Sequence, residues 1–299
     1  MCYNFALLLS SLIIHRRLVF KVTKKHINFY GIEELNQKAP VNQIVNCHVS
    51  DEVQFKMVCA NNDCAISRRF FWNNCYEQKT LELWSQFSSV LNNGIIIDIG
   101  AHSGAYSLCA LAASSKNRVL SFEPFFMNYA RMSTNFKINK FNTNNLFMLA
   151  AGDTAKQSVL KLNTNLHYLS SGGSLLGNGS LEIATNVVPM DSFIQDIDKP
   201  RVALVKIDVE GYEANVMDGM KNIIRSSEPI IFFECNEEPV AAYFNLKMKD
   251  RYNFYLIDDK NLSVQQTKQL QATTEYHLNN RIAIPKKNEE VVRLFDRLI

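Results

Sequence analysis

Residues 94–99, GIIIDI, restrict the fold of this 299-residue chain more than any other stretch. Its isoleucines do not alternate with polar residues, so the strand they make has no face to turn to water. Such a strand is covered on both sides, as in the middle of a parallel sheet. The flanking texture agrees. Residues 81–91 read as a helix closed by Asn92, Asn93 and Gly94, and a glycine-bearing turn leads into a second helix at 104–113. A strand at 118–122 (RVLSF), a helix at 127–138 with Tyr129, Met132 and Phe136 on one face, and a strand at 146–151 follow. Strands and helices alternating at these lengths predict an α/β fold with a doubly wound, mostly parallel sheet.

The alternation then pauses. Residues 157–162 and 181–188 read as a hairpin whose connection, 170–180 (SSGGSLLGNGS), is rich in Gly and Ser and is a candidate cover for a bound substrate. Asp191 is placed to cap a short helix over 192–197. Strands resume at 202–208 and 229–233 around a helix at 211–224, with further strands at 252–257 and 281–284. Residues 1–78 show little periodicity and are set apart as an N-terminal extension to a domain over 79–299.

Charge and cysteine usage narrow the partners. The formal net charge is +3, too small and too diffuse to argue for nucleic acid. Six basic and two acidic groups fall within residues 1–50, so the extension is basic and the remainder slightly acidic. Residues 5–14 (FALLLSSLII) form an apolar run just ahead of His15, Arg16 and Arg17. The run is too short for a bilayer span, which takes about 20 residues, and it lacks the basic lead and cleavage site of a signal peptide. Packing within the fold, peripheral membrane contact through residues 1–26 and a signal anchor all stay open. The seven cysteines are odd in number and form no C-x-x-C pair. Cys59, Cys64 and Cys75 lack the paired spacing of structural zinc sites. The expectation is no metal, reduced thiols and a cytoplasmic protein, membrane-associated if residues 1–26 make that contact.

Two acid-bearing segments carry the chemistry. Asp98 lies at the end of the buried strand, Gly100 opens the following turn, and Ala101, His102 and Ser103 lead to Gly104. In open α/β sheets ligands bind outside the carboxyl ends of the strands, so this turn belongs to a site. A dinucleotide fold would carry glycine where His102 stands, because the backbone there approaches a pyrophosphate. A nicotinamide oxidoreductase is therefore disfavoured. Glu123 ends the next strand, about 20 residues beyond the turn, and its two oxygens can accept from the paired hydroxyls of a ribose. Turn and acid together fit an adenosine ligand without phosphates whose carboxylate lies near a helix N-terminus. S-adenosylmethionine has those parts.

The second segment is KIDVEGYE, residues 206–213. Alternation along its strand puts Lys206 and Asp208 on one face, with Asp208 at the carboxyl end. Asp208 then lies beside the turn if the two strands are neighbours. Glu210 falls in the next turn, Gly211 permits a tight start to the helix, and Glu213 either joins the site or favours the helix N-terminus.

With Ser121-Phe122-Glu123-Pro124 and Ala150-Ala151-Gly152-Asp153, these segments occur in an order and spacing that resembles FkbM-type S-adenosylmethionine-dependent methyltransferases over residues 76–285. The resemblance implies a Rossmann-like class I methyltransferase fold with a seven-stranded sheet whose last strand is antiparallel. It implies O-methylation of a hydroxyl on a sugar, glycan or other small natural product. It places Asp98, Gly100, Ala101 and Gly104 at the methionine end of the cofactor, Glu123 on the ribose and Asp153 near the adenine. His102 departs from the asparagine usual in the family. Asp208, or else Glu210, is the expected base for the acceptor hydroxyl, with Lys206 orienting the carboxylate and His102 a further candidate. A catalytically silent binding protein on the same fold is the alternative. The cluster Arg68-Arg69-Phe70-Phe71-Trp72 fits either carbohydrate stacking or packing of the extension on the core.

Overall fold

The computed structural model describes residues 28–91, 94–162, 173–176, 178–194 and 201–299. The apolar run at 5–14, residues 170–172 and 177 of the Gly/Ser-rich connection and the end of the helix expected at 192–197 lie outside the described residues. No helix among the described residues is long and apolar enough to cross a membrane.

The extension holds regular elements: α1 (Ile32–Asn36), an antiparallel hairpin of β1 (Gln43–His48) and β2 (Gln54–Cys59), and α2 (Ala65–Asn73), followed by α3 (Gln78–Val90). Val45, Cys47, Phe55, Met57 and Cys59 turn inward at alternate positions. Ile44 and Val58 on the outer face blur that period of two in the sequence.

The central run follows as β3 (Ile95–Ile99), α4 (Ala105–Ala113), β4 (Arg118–Phe122), α5 (Phe126–Ile138) and β5 (Leu146–Phe147). A smaller sheet, ordered β6-β9-β7-β8, contains β6 (Ala150–Ala151), β7 (Lys156–Leu162), β8 (Gly173–Ser174) and β9 (Leu181–Val188). The chain returns through α6 (Met190–Ile194), β10 (Val202–Ile207), α7 (Glu213–Asp218), α8 (Lys221–Ser227), β11 (Ile230–Glu234) and α9 (Glu238–Lys247). It ends with β12 (Tyr252–Asp258), β13 (Ser263–Thr267), β14 (Asn280–Pro285) and α10 (Glu289–Asp296). The main sheet has eight strands in the order β13-β12-β14-β11-β10-β3-β4-β5. Strands β11, β10, β3, β4 and β5 pair in parallel, while β14 enters antiparallel between β11 and β12. Seven strands match the expected sheet, and the eighth, β13, is a polar edge strand folded back from β12.

Three expected elements differ, each for a local reason. The strand read over 146–151 divides: Leu146 and Phe147 pair with β4, the chain exposes Met148, and Ala150 and Ala151 pair with β9 in the smaller sheet. The helix read over 211–224 breaks into α7 and α8 at Gly219, where a Cβ would lie 1.8 Å from the Gly152 carbonyl oxygen. Asp191 caps a different helix from the one expected. Its carboxylate accepts from the backbone N–H groups of Asn222 (2.8 Å) and Ile223 (2.9 Å), at the start of α8.

Pleating divides the central strands between two apolar layers. Ile96, Val119, Leu204 and Phe232 face a layer shared with the β1–β2 hairpin, α2, α3 and α4. Ile97, Leu120, Val205 and Phe233 face the opposite layer, against α7, α8 and α9. Trp84 of α3 is wholly buried in the first layer and donates its indole N–H to the Tyr106 carbonyl at 2.9 Å. The extension is thus continuous with the main core, and its α2 stands over the carboxyl edge of the sheet.

Candidate active site

β3 lies between β4 and β10, and the chain winds away from it in both directions. At such a switch point a crevice forms outside the strand ends. A cavity of about 390 Å³ opens there, lined by Asp98, Gly100, Ala101, His102, Glu123, Lys206, Asp208 and Glu210 among others.

The first turn is fixed by backbone contacts. The N–H groups of Gly100 and Ala101 both donate to the Phe122 carbonyl (3.0 and 2.9 Å), and Asp208 N–H donates to Ile99 at 3.0 Å. Gly100 has φ +79°, and a Cβ on it would lie 1.7 Å from the Asp208 carbonyl oxygen. Glycine is required where two backbones approach so closely. His102 has φ +51°. Asparagine tolerates that left-handed region better than most residues, so the asparagine that the resemblance implies would suit this turn as well.

Each carboxylate on the cavity wall has defined partners. Glu123 accepts from His102 N–H through one oxygen and from Phe125 N–H through the other, both at 2.8 Å. Burial pushes it up to about 7, against those two backbone bonds. Asp98 accepts from the Ser107 N–H (3.0 Å) and hydroxyl (2.6 Å). Burial raises it to about 6, opposed by Ser107 and by Lys206. His102 is pushed down to about 4 by burial, so its ring is neutral at pH 7. Its Nδ1 is 3.0 Å from Ser103 Oγ, and its Nε2 is shut off from solvent with no partner among the described residues.

At the other end of the cavity, the Lys206 ammonium donates to Asp208 at 3.1 Å and to Asn280 at 3.4 Å. Lys206 is 1% exposed. Burial disfavours its charge, but Asp208, Glu77 and Glu234 outweigh that effect and hold it protonated. Carboxylate oxygens of Asp208, Glu210 and Glu234 lie within 4.8 Å of one another. Burial and the neighbouring Asp208 raise Glu210 to about 8, and the same two causes raise Glu234. Burial and mutual repulsion therefore disfavour ionisation of Glu210 and Glu234, beside the Lys206–Asp208 ion pair.

Two sequence-predicted residues stand apart from the cavity wall. Gly104, with φ +90°, starts α4 and packs on Met132 and Phe136. Asp153 bonds Lys156 at 3.2 Å and accepts from Tyr212 Oη at 3.3 Å, while Ala150, Ala151 and the Tyr212 ring line the cavity in its place. Glu213 is wholly buried and accepts from Val209 N–H and Gly211 N–H, holding the turn that carries Glu210. Within the aromatic cluster, Phe70 is buried in the core, Arg68 bonds Asn36, and only Arg69 reaches the cavity.

Several lining residues escaped the sequence reading. Glu234 ends β11 as Glu123 ends β4, so the same signal, an acid closing an apolar strand, could have found it. Glu77 accepts a very short hydrogen bond from Tyr106 Oη, and the Tyr106 ring lies 5.0 Å from the Lys206 ammonium. Tyr76 and Tyr276 complete that wall from connections with no motif of their own.

A pH dependence follows from Glu123. If Glu123 holds the ribose, as the resemblance implies, its ionised carboxylate accepts best from the hydroxyls, so bound cofactor would favour the deprotonated form. Cofactor affinity is expected to fall as pH drops below about 7, at most about tenfold per pH unit, and Glu123→Gln should flatten the profile. Calorimetric titration between pH 5.5 and 8.5 reads it, and an unchanged slope in Glu123→Gln would assign the titration elsewhere.

The family model for the methyltransferase FkbM domain matches residues 98–260. Hexuronic acid methyltransferase AglP of Haloferax volcanii is 25% identical over 148 residues, 46% of this chain and 54% of that protein. The chain thus spans about half the length of that curated relative. Among solved structures, methyltransferase FkbM from Methylobacillus flagellatus KT aligns with a TM-score of 0.42 and 15% identity, over 64% of this chain and 44% of that one. A SAM-dependent methyltransferase from Agrobacterium tumefaciens aligns with a TM-score of 0.43 and 8% identity, over 88% and 78%. The family match takes in Asp98, Glu123, Asp208 and Glu234 and more than half of the chain, which belongs to the FkbM methyltransferase family.

Proposed function

We propose that this chain transfers a methyl group from S-adenosylmethionine to a hydroxyl of a sugar, glycan or other small natural product. One observation carries the reading: the Gly100 turn and Glu123 share a single cavity with the Lys206–Asp208 pair. The cofactor end fits the ligand's parts. Each Glu123 oxygen has a backbone donor, and with Asn128 as a third partner the carboxylate keeps acceptor capacity for a ribose hydroxyl. Leu149, Ala150, Ala151 and Phe125 offer an apolar wall for a base, and the neutral His102 ring has an unpaired nitrogen for a polar group.

Bound there, S-adenosylmethionine supplies an electrophilic methyl group on a sulfonium. The chain's own work is to position the acceptor hydroxyl and remove its proton. Asp208 is the group for that step. Lys206 holds its Oδ2, and its Oδ1 accepts no hydrogen bond among the described residues. Burial and the neighbouring Asp208 favour the protonated form of Glu210, which suits it to donate to the acceptor rather than to act as its base. Lys206, held protonated, orients Asp208 and does not itself take a proton. Alignment of the hydroxyl behind the methyl group supplies much of the rate in such a displacement.

The relative named for a hexuronic acid supports a sugar as acceptor. The six cysteines among the described residues are buried and free of disulfides, which supports a reducing compartment such as the cytoplasm. Titration with S-adenosylmethionine, S-adenosylhomocysteine and NAD tests the cofactor: the first two are expected to bind and NAD is not. Labelled methyl transfer into lysate fractions tests the acceptor. Label retained in polysaccharide is the expected result, whereas label in protein would overturn the sugar reading, and no binding of S-adenosylmethionine would overturn the whole.

A further inference from the structure

Two side chains that are always or persistently cationic line the cavity, and they differ in one respect. Lys206 is paired with Asp208. Arg69 has no ion-pair or hydrogen-bond partner among the described residues; its guanidinium carbon lies 4.0 Å from the centre of the Tyr276 ring. Arg69 shares its helix face with Ala65 and Ile66, which also line the cavity. The helix that presents it is firmly seated: Phe70 packs edge-on against Phe55 at 5.6 Å, and the Ser67 hydroxyl bonds the Val58 and Cys64 carbonyls. A guanidinium packed on a ring keeps the N–H groups of its edge available, in the planar fork that matches a carboxylate.

From this geometry we infer that the acceptor is a sugar bearing a carboxylate, held by Arg69 against the Tyr276 ring while its hydroxyl reaches Asp208. The inference rests on the methyl-transfer reading and adds the substrate's charge to it. A carboxylate carries one negative charge, matching Arg69, the cation of the cavity wall that has no ion-pair partner among the described residues. A phosphate monoester would bring a second charge toward Glu77 and Asp208 with no further cation to meet it. Burial disfavours the ionised forms of Glu210 and Glu234, which lessens their repulsion of an anionic acceptor. The flat ring of Tyr76, which also lines the cavity, suits the apolar face of a pyranose.

The test is calorimetric titration of the full chain saturated with S-adenosylhomocysteine. The probes are methyl glycosides of glucuronic and galacturonic acid, those of glucose and galactose, and glucose 6-phosphate. At least one uronide is expected to bind about ten- to a hundredfold more tightly than its neutral counterpart. Arg69→Gln should remove that preference and Arg69→Lys should keep part of it, both with S-adenosylhomocysteine affinity intact as evidence of folding. Neutral sugars binding as tightly as uronides, the phosphate binding more tightly than either uronide, no sugar binding at all, or a preference that survives Arg69→Gln would each overturn the proposal. Failure of S-adenosylhomocysteine itself to bind would instead remove the methyl-transfer reading, and this one with it.

Discussion

Asp208→Asn is expected to lower turnover by about 10²- to 10⁴-fold, the range for losing a positioned base, with S-adenosylmethionine affinity retained. Asparagine keeps the shape and the contact with Lys206 but cannot take a proton. The loss should fall on kcat rather than on cofactor binding, because the backbone of Asp208, not its side chain, ties β10 to the first turn. The same substitution leaves the Lys206 ammonium, 1% exposed, without its nearest counter-charge. Breaking a fully buried pair costs about 3–5 kcal/mol; with the Asp208 side chain 24% exposed the loss is expected to be smaller, and stability is to be read alongside activity. The double variant Lys206→Met/Asp208→Asn separates the two effects. It removes the orphaned charge and should recover part of the lost melting temperature while turnover stays low. If turnover returned with stability, Asp208 would be a structural partner of Lys206 and no base. Full turnover in Asp208→Asn would remove the base assignment directly.

The sheet was readable because its strands are covered on both faces. A buried parallel strand is a run of apolar residues closed by a turn, and residues 94–99, 118–122 and 202–208 all have that form. The acids that close such runs were readable for the same reason, since Asp98, Glu123 and Asp208 stand where an open α/β sheet places its ligand. What was not readable depends on contacts distant in sequence. Gly219 breaks a helix because the Gly152 carbonyl passes against it, and nothing near residue 219 announces that approach. Asp191 caps a helix about thirty residues on, because α6 and α8 pack together. The proposed acceptor wall is the extreme case. Arg69, Tyr76 and Glu77 come from the extension and Tyr276 from a connection near the other end of the chain, so only the fold brings them together.

Gly100→Ala should do more damage than its single methyl group suggests. An alanine at φ +79° costs about 1–2 kcal/mol in backbone strain, and forcing extra volume into a packed contact adds about 1–3 kcal/mol. A Cβ 1.7 Å from the Asp208 carbonyl oxygen cannot be absorbed by a side-chain rotation, since the atom it meets is backbone. The turn and the end of β10 must therefore separate. A stability loss of about 2–5 kcal/mol is expected in urea unfolding, a large share of a domain's total. Gly31→Ala is the control, because a Cβ there meets only the Glu34 carboxylate at 3.8 Å, and it should stay within about 0.5 kcal/mol of the parent. Cofactor affinity and turnover should fall together in Gly100→Ala, unlike Asp208→Asn, because this contact fixes the distance between the cofactor turn and the proposed base. If Gly100→Ala kept the parent's stability and lost only turnover, the turn would be yielding locally without moving β10. If it kept both, the close approach of the two backbones would have no part in building the site.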